Sequence, residues 1–496
     1  MGKLKNAYEK APAIFSLILC FALVIGSIAV YLAVGLLPRG ARIFDISPNK
    51  LYPLHTETEK LLSELDRDIE VLLVSETGIP DYSVTEMLLK SYAEENGHIK
   101  LTLVYPDELY DDYGTLTEGC AVIKSAARET VVYSSDYYDV SDEYFDISYN
   151  YYYYLTEQGY DLGSYSDFMY SGYAESMGLF DIARYQSTLT NAIRFVASEN
   201  VTTIYATCDH EEEMLDVYLY PELRLNSTEL VFGKLSDGIP DNADGVLIND
   251  PVTDLTEADV AILTEFLAKG GKLTVTTSYT NIKNLTNLRA VCEEYGLTTD
   301  GGFLCEDDKD YNYSQYAMVT VPTVSKDAFG GYLTADGLKP IVTGGTGITI
   351  TEKAGITASS LLNSSVNAYT KQNAEESGSD PAFNEETDVR GQYSVAALAR
   401  NTENGSSVLW FPTFTLSSSV YDTASSRNKF PVFTAALCAQ YGTEKPIGIE
   451  NISLTLTPIE ASKTAVTVGM VLAIAVPCVI IAAGAFVVIG KRKRAE

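Results

Sequence analysis

Lysine and arginine are scarce in this chain. There are 35 against 67 Asp and Glu in 496 residues, for a formal charge of −32 and a pI near 4.4. Nucleic-acid backbones are held by clustered cations, so no nucleic-acid partner is expected. Cysteine is sparse too. Cys20 and Cys478 fall in apolar runs, leaving Cys120, Cys208, Cys292, Cys305 and Cys438, an odd set without CxxC spacing. That excludes a disulfide scaffold or a zinc knuckle and favours small buried hydrophobes, with a Cys292–Cys305 bridge as the alternative. Nucleotide and hydrolase signatures are also lacking. Residues 268–272 (AKGGK) and 343–347 (TGGTG) are glycine-rich but miss the G-x-x-x-x-G-K-[ST] spacing, and neither G-x-S-x-G nor H-E-x-x-H occurs. The chain is therefore expected not to be an enzyme and to use no cofactor.

Charge is missing altogether from two long segments, residues 11–37 and 465–490. Each exceeds the roughly 20 apolar residues a helix needs to cross the hydrocarbon core, so each is predicted to be a transmembrane helix. The first is longer than a signal-peptide core and no A-x-A-like site follows it, which makes it an uncleaved anchor. Lys3, Lys5 and Lys10 against Glu9 precede the first run; Lys491, Arg492, Lys493 and Arg494 against Glu496 follow the second. Two basic flanks place both termini, 1–10 and 491–496, in the cytoplasm, and 38–464 outside it in a plasma membrane. The flanks carry +2 and +3, which leaves −37 for the extracytoplasmic part.

Within 38–464 the pattern alternates between strands and helices. Residues 38–135 read as a small α/β module: an amphipathic stretch at 56–65, strands at 69–74, 99–104, 120–124 and 129–133, and a helix at 83–96 with Ser83 and Glu86 as capping box and Gly97 as its stop. A second α/β domain spans 183–441. It opens with a helix at 183–200 carrying Leu189, Ile193 and Val196 on one face, followed by strands at 202–207 and 244–249. Its clearest unit is DPVTDLTEADVAILTEFLAKGGKLTVTT, with Thr256 as N-cap, Asp259 three residues on, and a glycine stop before the next strand. Strand, helix and strand with short connections imply a largely parallel sheet. Strands at 394–399 and 407–411 and a helix near 431–441 complete it. Residues 363–390 read as a long polar loop, and 442–464 as a linker to the membrane.

Two segments are candidates for function. Asp209, His210 and Glu211 follow a strand directly, where α/β domains place ligands. His210 with Glu211 suits a metal ion or a general base; the alternative is a solvated acidic loop beginning a helix. Residues 136–182 are acidic and tyrosine-rich, with 12 of the 35 Tyr and no Lys or Arg between 137 and 173. Tyr151, Tyr152, Tyr153 and Tyr154 suit binding of a partner or a glycan; the alternatives are an extended cover over the sheet and a mobile loop.

The order of several blocks carries a further likeness. These are 51–65 (LYPLHTETEKLLSEL) before the strand at 69–74, 189–193 (LTNAI) ahead of 201–211, and 239–248 (IPDNADGVLI) with Pro251, Asp254, Leu255, Gly270 and Gly271. The last is 388–393 (DVRGQY) with 408–414 and Asn428. Together they resemble the GldG-like auxiliary proteins of ABC transporters, a family that includes a gliding-motility component. Cys208 and Asp209 depart from the Thr-Gly that usually precedes the family's histidine. The resemblance implies a flavodoxin- or amidotransferase-like parallel-sheet ectodomain and, as partners, an ABC permease subunit and a cytoplasmic ATPase. It implies no catalytic residues. The expected function is a non-enzymatic, membrane-anchored auxiliary subunit of an ABC-type transport system. The alternative is an extracytoplasmic glycan-binding or hydrolytic α/β protein.

Overall fold

Strand order in the main sheet sets where the chemistry-bearing loops meet. The computed structural model describes residues 53–454 except 77–82, 164, 171–172, 217–218, 314, 334–336, 375–380 and 419–428. Both predicted spans lie outside the described residues, among which no helix is long and apolar enough to cross a membrane. Leu54–Ile452 form one compact unit, and of the other unit only Pro53, Ser453 and Leu454 are described.

The first module follows its local signals closely. Helix α1 (Thr56–Glu64), strand β1 (Ile69–Val74), helix α2 (Val84–Glu95), strand β2 (Ile99–Val104), helix α3 (Pro106–Tyr113) and strands β3 (Ala121–Lys124) and β4 (Glu129–Val132) occur in sequence. The sheet order is β2-β1-β3-β4, with β1 and β2 parallel and the other pairs antiparallel. Ser83 caps α2 by accepting the Glu86 N–H. The stop comes from Asn96 rather than Gly97: its side-chain amide donates to the Leu62 and Leu65 carbonyls, tying α2 to the end of α1.

Helix α7 (Tyr185–Ala197) does bury Leu189, Ile193 and Val196 on one face, but in the core of this first module, against Ile69, Val71, Ile123 and Tyr92. Hydrophobic spacing identifies a buried face and not the partner that covers it.

The tyrosine-rich segment is helical, not an extended cover. Helices α4 (Asp142–Glu157), α5 (Tyr165–Tyr170) and α6 (Tyr173–Ser176) enclose their own small core of Phe145, Leu155, Tyr165, Phe168, Met169 and Ala174.

The main sheet has eight strands. Five run parallel: β5 (Thr202–Thr207), β6 (Thr228–Gly233), β7 (Gly245–Asn249), β8 (Lys272–Thr276) and, much later, β14 (Ser407–Phe411). Across the sheet they lie β6-β5-β7-β8-β14, the order 2-1-3-4-5. Beyond β14 the sheet continues antiparallel through β13 (Ser394–Asn401), β11 (Ile356–Asn363) and β10 (Thr323–Val324). This is a mixed α/β fold with a parallel centre. Helices cover both faces. Helix α8 (Leu219–Leu225) and α11 (Lys429–Tyr441) pack on the side of Ile204, Leu247, Leu409 and Phe411. Helices α9 (Glu257–Ala268) and α10 (Thr286–Glu293) pack on the side of Val246, Ile248, Val275 and Trp410. All five residues of β7 are buried, as expected of a central parallel strand.

The stretch 363–390 is not the polar loop its composition suggests. Within it β12 (Ala368–Lys371) is wholly buried and pairs antiparallel with β9 (Phe303–Glu306). Its polar residues are satisfied locally: Lys371 Nζ reaches Asp388 Oδ2 at 3.3 Å, and Glu306 accepts from Ser365 N and Oγ at 2.9 and 2.7 Å. Cys120, Cys292, Cys305 and Cys438 are buried free thiols, so the 292–305 bridge is not formed; Cys208 is free and exposed.

Candidate functional site

In a parallel sheet the crevice opens where neighbouring strands send their connections to opposite sides. Here that is between β5, whose chain moves outward to β6, and β7, whose chain moves inward to β8. His210 sits at this point, three residues beyond the end of β5. Its carbonyl accepts from Val252 N and Thr253 N at 3.1 and 3.0 Å, so the loop after β5 is stitched to the loop after β7. Glu213 N donates to the Asn249 carbonyl, and the Asn249 amide returns to the Glu213 carbonyl. The crevice is therefore lined by the chain's own backbone.

The His210 side chain is only 5% exposed and stands among three carboxylates. Nε2 lies 3.2 Å from Asp259 Oδ2. Asp259 is the third residue of α9 and closes its capping box: Thr256 Oγ1 accepts from Asp259 N, and Asp259 Oδ2 accepts from Thr256 N. One carboxylate thus serves both a helix end and an imidazole 49 residues away. Nδ1 lies 3.2 Å from Asp209 Oδ1 and 3.6 Å from Glu212 Oε1, and it has no directed hydrogen bond to either.

Both of those acids are held from behind. Asp209 accepts from Leu235 N, Ser236 N and Ser236 Oγ at 2.9, 3.0 and 2.8 Å. Glu212 accepts from the Thr207 hydroxyl and from His210 N. The Glu212 carboxylate, against the effect of burial and with Asp259 and Asp209 adding to it, pushes the His210 pKa up to about 9. Asp209, Glu212 and Asp259 are all held below their ordinary carboxylate values, hydrogen bonds and His210 outweighing burial. Next to the cluster, Asp250 adopts a left-handed backbone (φ 45°), and burial pushes its carboxyl up.

Of the three residues predicted from sequence, the structure brings together Asp209 and His210 and leaves out Glu211. Glu211 has φ 57° and is exposed, so its side chain turns away and Glu212 takes the place assigned to it. The alternative of a solvated histidine at a helix start is not what the described residues show, because 208–216 carry no helix and the imidazole is buried. Nothing in the sequence marks Glu212 or Asp259 as a site residue. A Glu two positions from a His gives no reason to prefer it over its neighbour, and Asp259 read only as a cap.

The four consecutive tyrosines divide in two. Tyr153 and Tyr154 are 57% and 54% exposed, whereas Tyr151 and Tyr152 are half-buried against the small helical core. The Tyr152 hydroxyl donates to the Gly163 carbonyl at 2.8 Å and its ring lies against Tyr165 and Phe168. Tyr152→Ser is accordingly expected to destabilise this helical segment by about 1–1.5 kcal/mol, roughly half the loss for a fully buried large side chain. Tyr153→Ser with Tyr154→Ser should change it by about 0.5 kcal/mol or less. Hydrogen exchange of α4 and α5 in the two variants separates these outcomes.

Neither a family profile nor a curated protein matches the sequence. Among solved structures, the mmIFT52 N-terminal domain is similar over 50% of this chain and 100% of its own, with 14% identity and a TM-score of 0.36. A ThuA-like protein from Parabacteroides merdae matches over 52% of this chain and 96% of its own, with 10% identity and a TM-score of 0.29. Agd3, a carbohydrate deacetylase, matches over 48% of this chain and 32% of its own, with 12% identity and a TM-score of 0.27. Scores this low leave function to be argued from the chain's own residues.

Proposed function

We propose that this chain is a non-enzymatic auxiliary subunit of an ABC-type transport system, anchored by membrane helices at 11–37 and 465–490, with a flavodoxin-like ectodomain that makes protein contacts. The observation that carries this reading is the state of the crevice. In a 2-1-3-4-5 sheet the ligand position lies between strands 1 and 3, and here the loops flanking it are tied together, Val252 N and Thr253 N donating to the His210 carbonyl. A domain whose crevice loops are tied to each other by backbone hydrogen bonds is suited to scaffolding. The order of sequence blocks shared with GldG-like proteins supports an ABC permease and a cytoplasmic ATPase as partners.

Co-purification from native membranes, read by mass spectrometry, tests the assignment. Recovery of an ABC permease and its ATPase in constant proportion is the expected result; their absence from a stable complex overturns it. The topology is tested separately. A reporter active only outside the cytoplasm should work when inserted near Ser377 and fail at either terminus, and activity at the C-terminus would sink the two-span arrangement.

A second reading, an extracytoplasmic glycan-binding or hydrolytic protein, is favoured by one observation: the Asp209, His210 and Glu212 group, with its imidazole buried, at a strand end. Turnover of glycan or ester substrates by the purified chain, abolished in Glu212→Gln, would move the assignment to it.

A further inference from the structure

We propose that Asp209, His210 and Glu212 bind one divalent transition-metal ion of the zinc type, with Asp259 orienting the imidazole from behind. The inference goes beyond an auxiliary role in transport and does not depend on it.

The first reason is an unmet atom. His210 Nδ1 is fully buried, and yet no hydrogen bond satisfies it. Buried ring nitrogens normally have a partner, and here the nearest groups are two carboxylate oxygens at 3.2 and 3.6 Å. A tetrahedral ion with bonds of about 2.0–2.1 Å sets its ligand atoms about 3.3–3.4 Å apart. The observed separations bracket that edge, and all three ligand atoms lie within 4.8 Å of one another. The ion would take the Nδ1 lone pair of the neutral ring, replacing the proton that this nitrogen carries in the imidazolium.

The second reason is the other face of the ring. A metal-binding histidine commonly donates its remaining N–H to a carboxylate, which fixes the tautomer and the ring plane. Nε2 lies 3.2 Å from Asp259 Oδ2, which leaves Nδ1 as the nitrogen for the ion. The ligand carboxylates are braced in the same way, Asp209 by Leu235 and Ser236, and Glu212 by Thr207. One imidazole with two carboxylates suits zinc and its neighbours better than calcium or magnesium, which prefer oxygen alone. Three protein ligands leave a fourth position for water or for a group from a partner.

The test uses the purified full-length chain, stripped with a chelator and titrated with Zn2+ against a chromophoric competitor, and with Co2+ for its visible spectrum. One equivalent of each ion is expected to bind. Asp209→Asn and Glu212→Gln should each weaken binding at least tenfold. Asp259→Asn keeps a capping side chain, so it should leave the fold intact, weaken binding about 10–100-fold and alter the Co2+ spectrum. His98→Gln removes an exposed imidazole beside Asp68 and should change nothing. Fluorescence of the single tryptophan monitors folding in every variant. Failure of the wild type to bind either ion overturns the proposal, as does affinity that is unchanged in well-folded Glu212→Gln.

Discussion

Replacing His210 with Ala is expected to destabilise the folded chain by about 3–5 kcal/mol, the cost of stripping one partner from a buried ion pair. The imidazole is the sole cation contacting Asp209, Glu212 and Asp259 among the described residues, and Glu212 and Asp259 are each only 4% exposed at the side chain. Its loss leaves three carboxylates close together with hydrogen-bond donors but no cation to offset them. The effect should depend on pH in a definite direction. The folded-state pKa, about 9, lies above the ordinary histidine value of 6.5. The stabilisation is therefore complete below about pH 6.5 and disappears as pH rises through about 9. Urea unfolding of chelator-treated wild type and His210→Ala at pH 6 and pH 9.5 reads both quantities. A loss below about 1 kcal/mol at pH 6 would show that the cluster does not depend on the imidazolium.

The second large effect is expected at Trp410, the single tryptophan in the chain. It lies on β14, in the centre of the sheet, is 1% exposed, and packs among Val275, Ala397 and Val408. Its indole N–H donates to Thr277 Oγ1 at 3.0 Å. Trp410→Ala should cost about 3–5 kcal/mol by opening a cavity and leaving that hydroxyl without its partner. Trp410→Phe keeps much of the apolar contact and loses the hydrogen bond, so about 1–3 kcal/mol is expected. Thermal unfolding followed by circular dichroism measures both, since the fluorescence probe is gone. Equal losses in the two variants would mean that the hydrogen bond, and not the packing, holds this position.

Trp410 and His210 also mark two kinds of legibility. The strand at 407–411 could be read from its run of apolar and β-branched residues, because a strand buried on both faces needs no alternation. The direction of that strand, parallel to β8, could not, since 130 intervening residues separate the two. The polar stretch 363–390 misled for a related reason. Its composition describes solvated side chains, but Ser365, Thr370, Lys371 and Asp388 find partners inside the fold and are buried with them. Burial of polar groups depends on hydrogen bonds made across the chain, which composition does not contain.

The sequence by itself determined what is local. Thr256 and Asp259 start a helix because a side-chain oxygen and an N–H three residues on close a loop of short range. Runs of apolar and β-branched residues at 69–74, 202–207 and 244–249 become strands because they favour an extended backbone with buried side chains. The tertiary structure alone decided which of these pieces meet. It gave α7 to the first module's core, because a hydrophobic face is satisfied by any apolar surface. It split Tyr151 and Tyr152 from Tyr153 and Tyr154, because helical rotation of 100° per residue cannot bury four consecutive side chains on one side. At the site it turned Glu211 outward through a left-handed backbone, drew Glu212 in, and brought Asp259 from a helix cap to the imidazole of His210. Charges that attract in a buried crevice act through space, and their spacing along the chain carries no record of it.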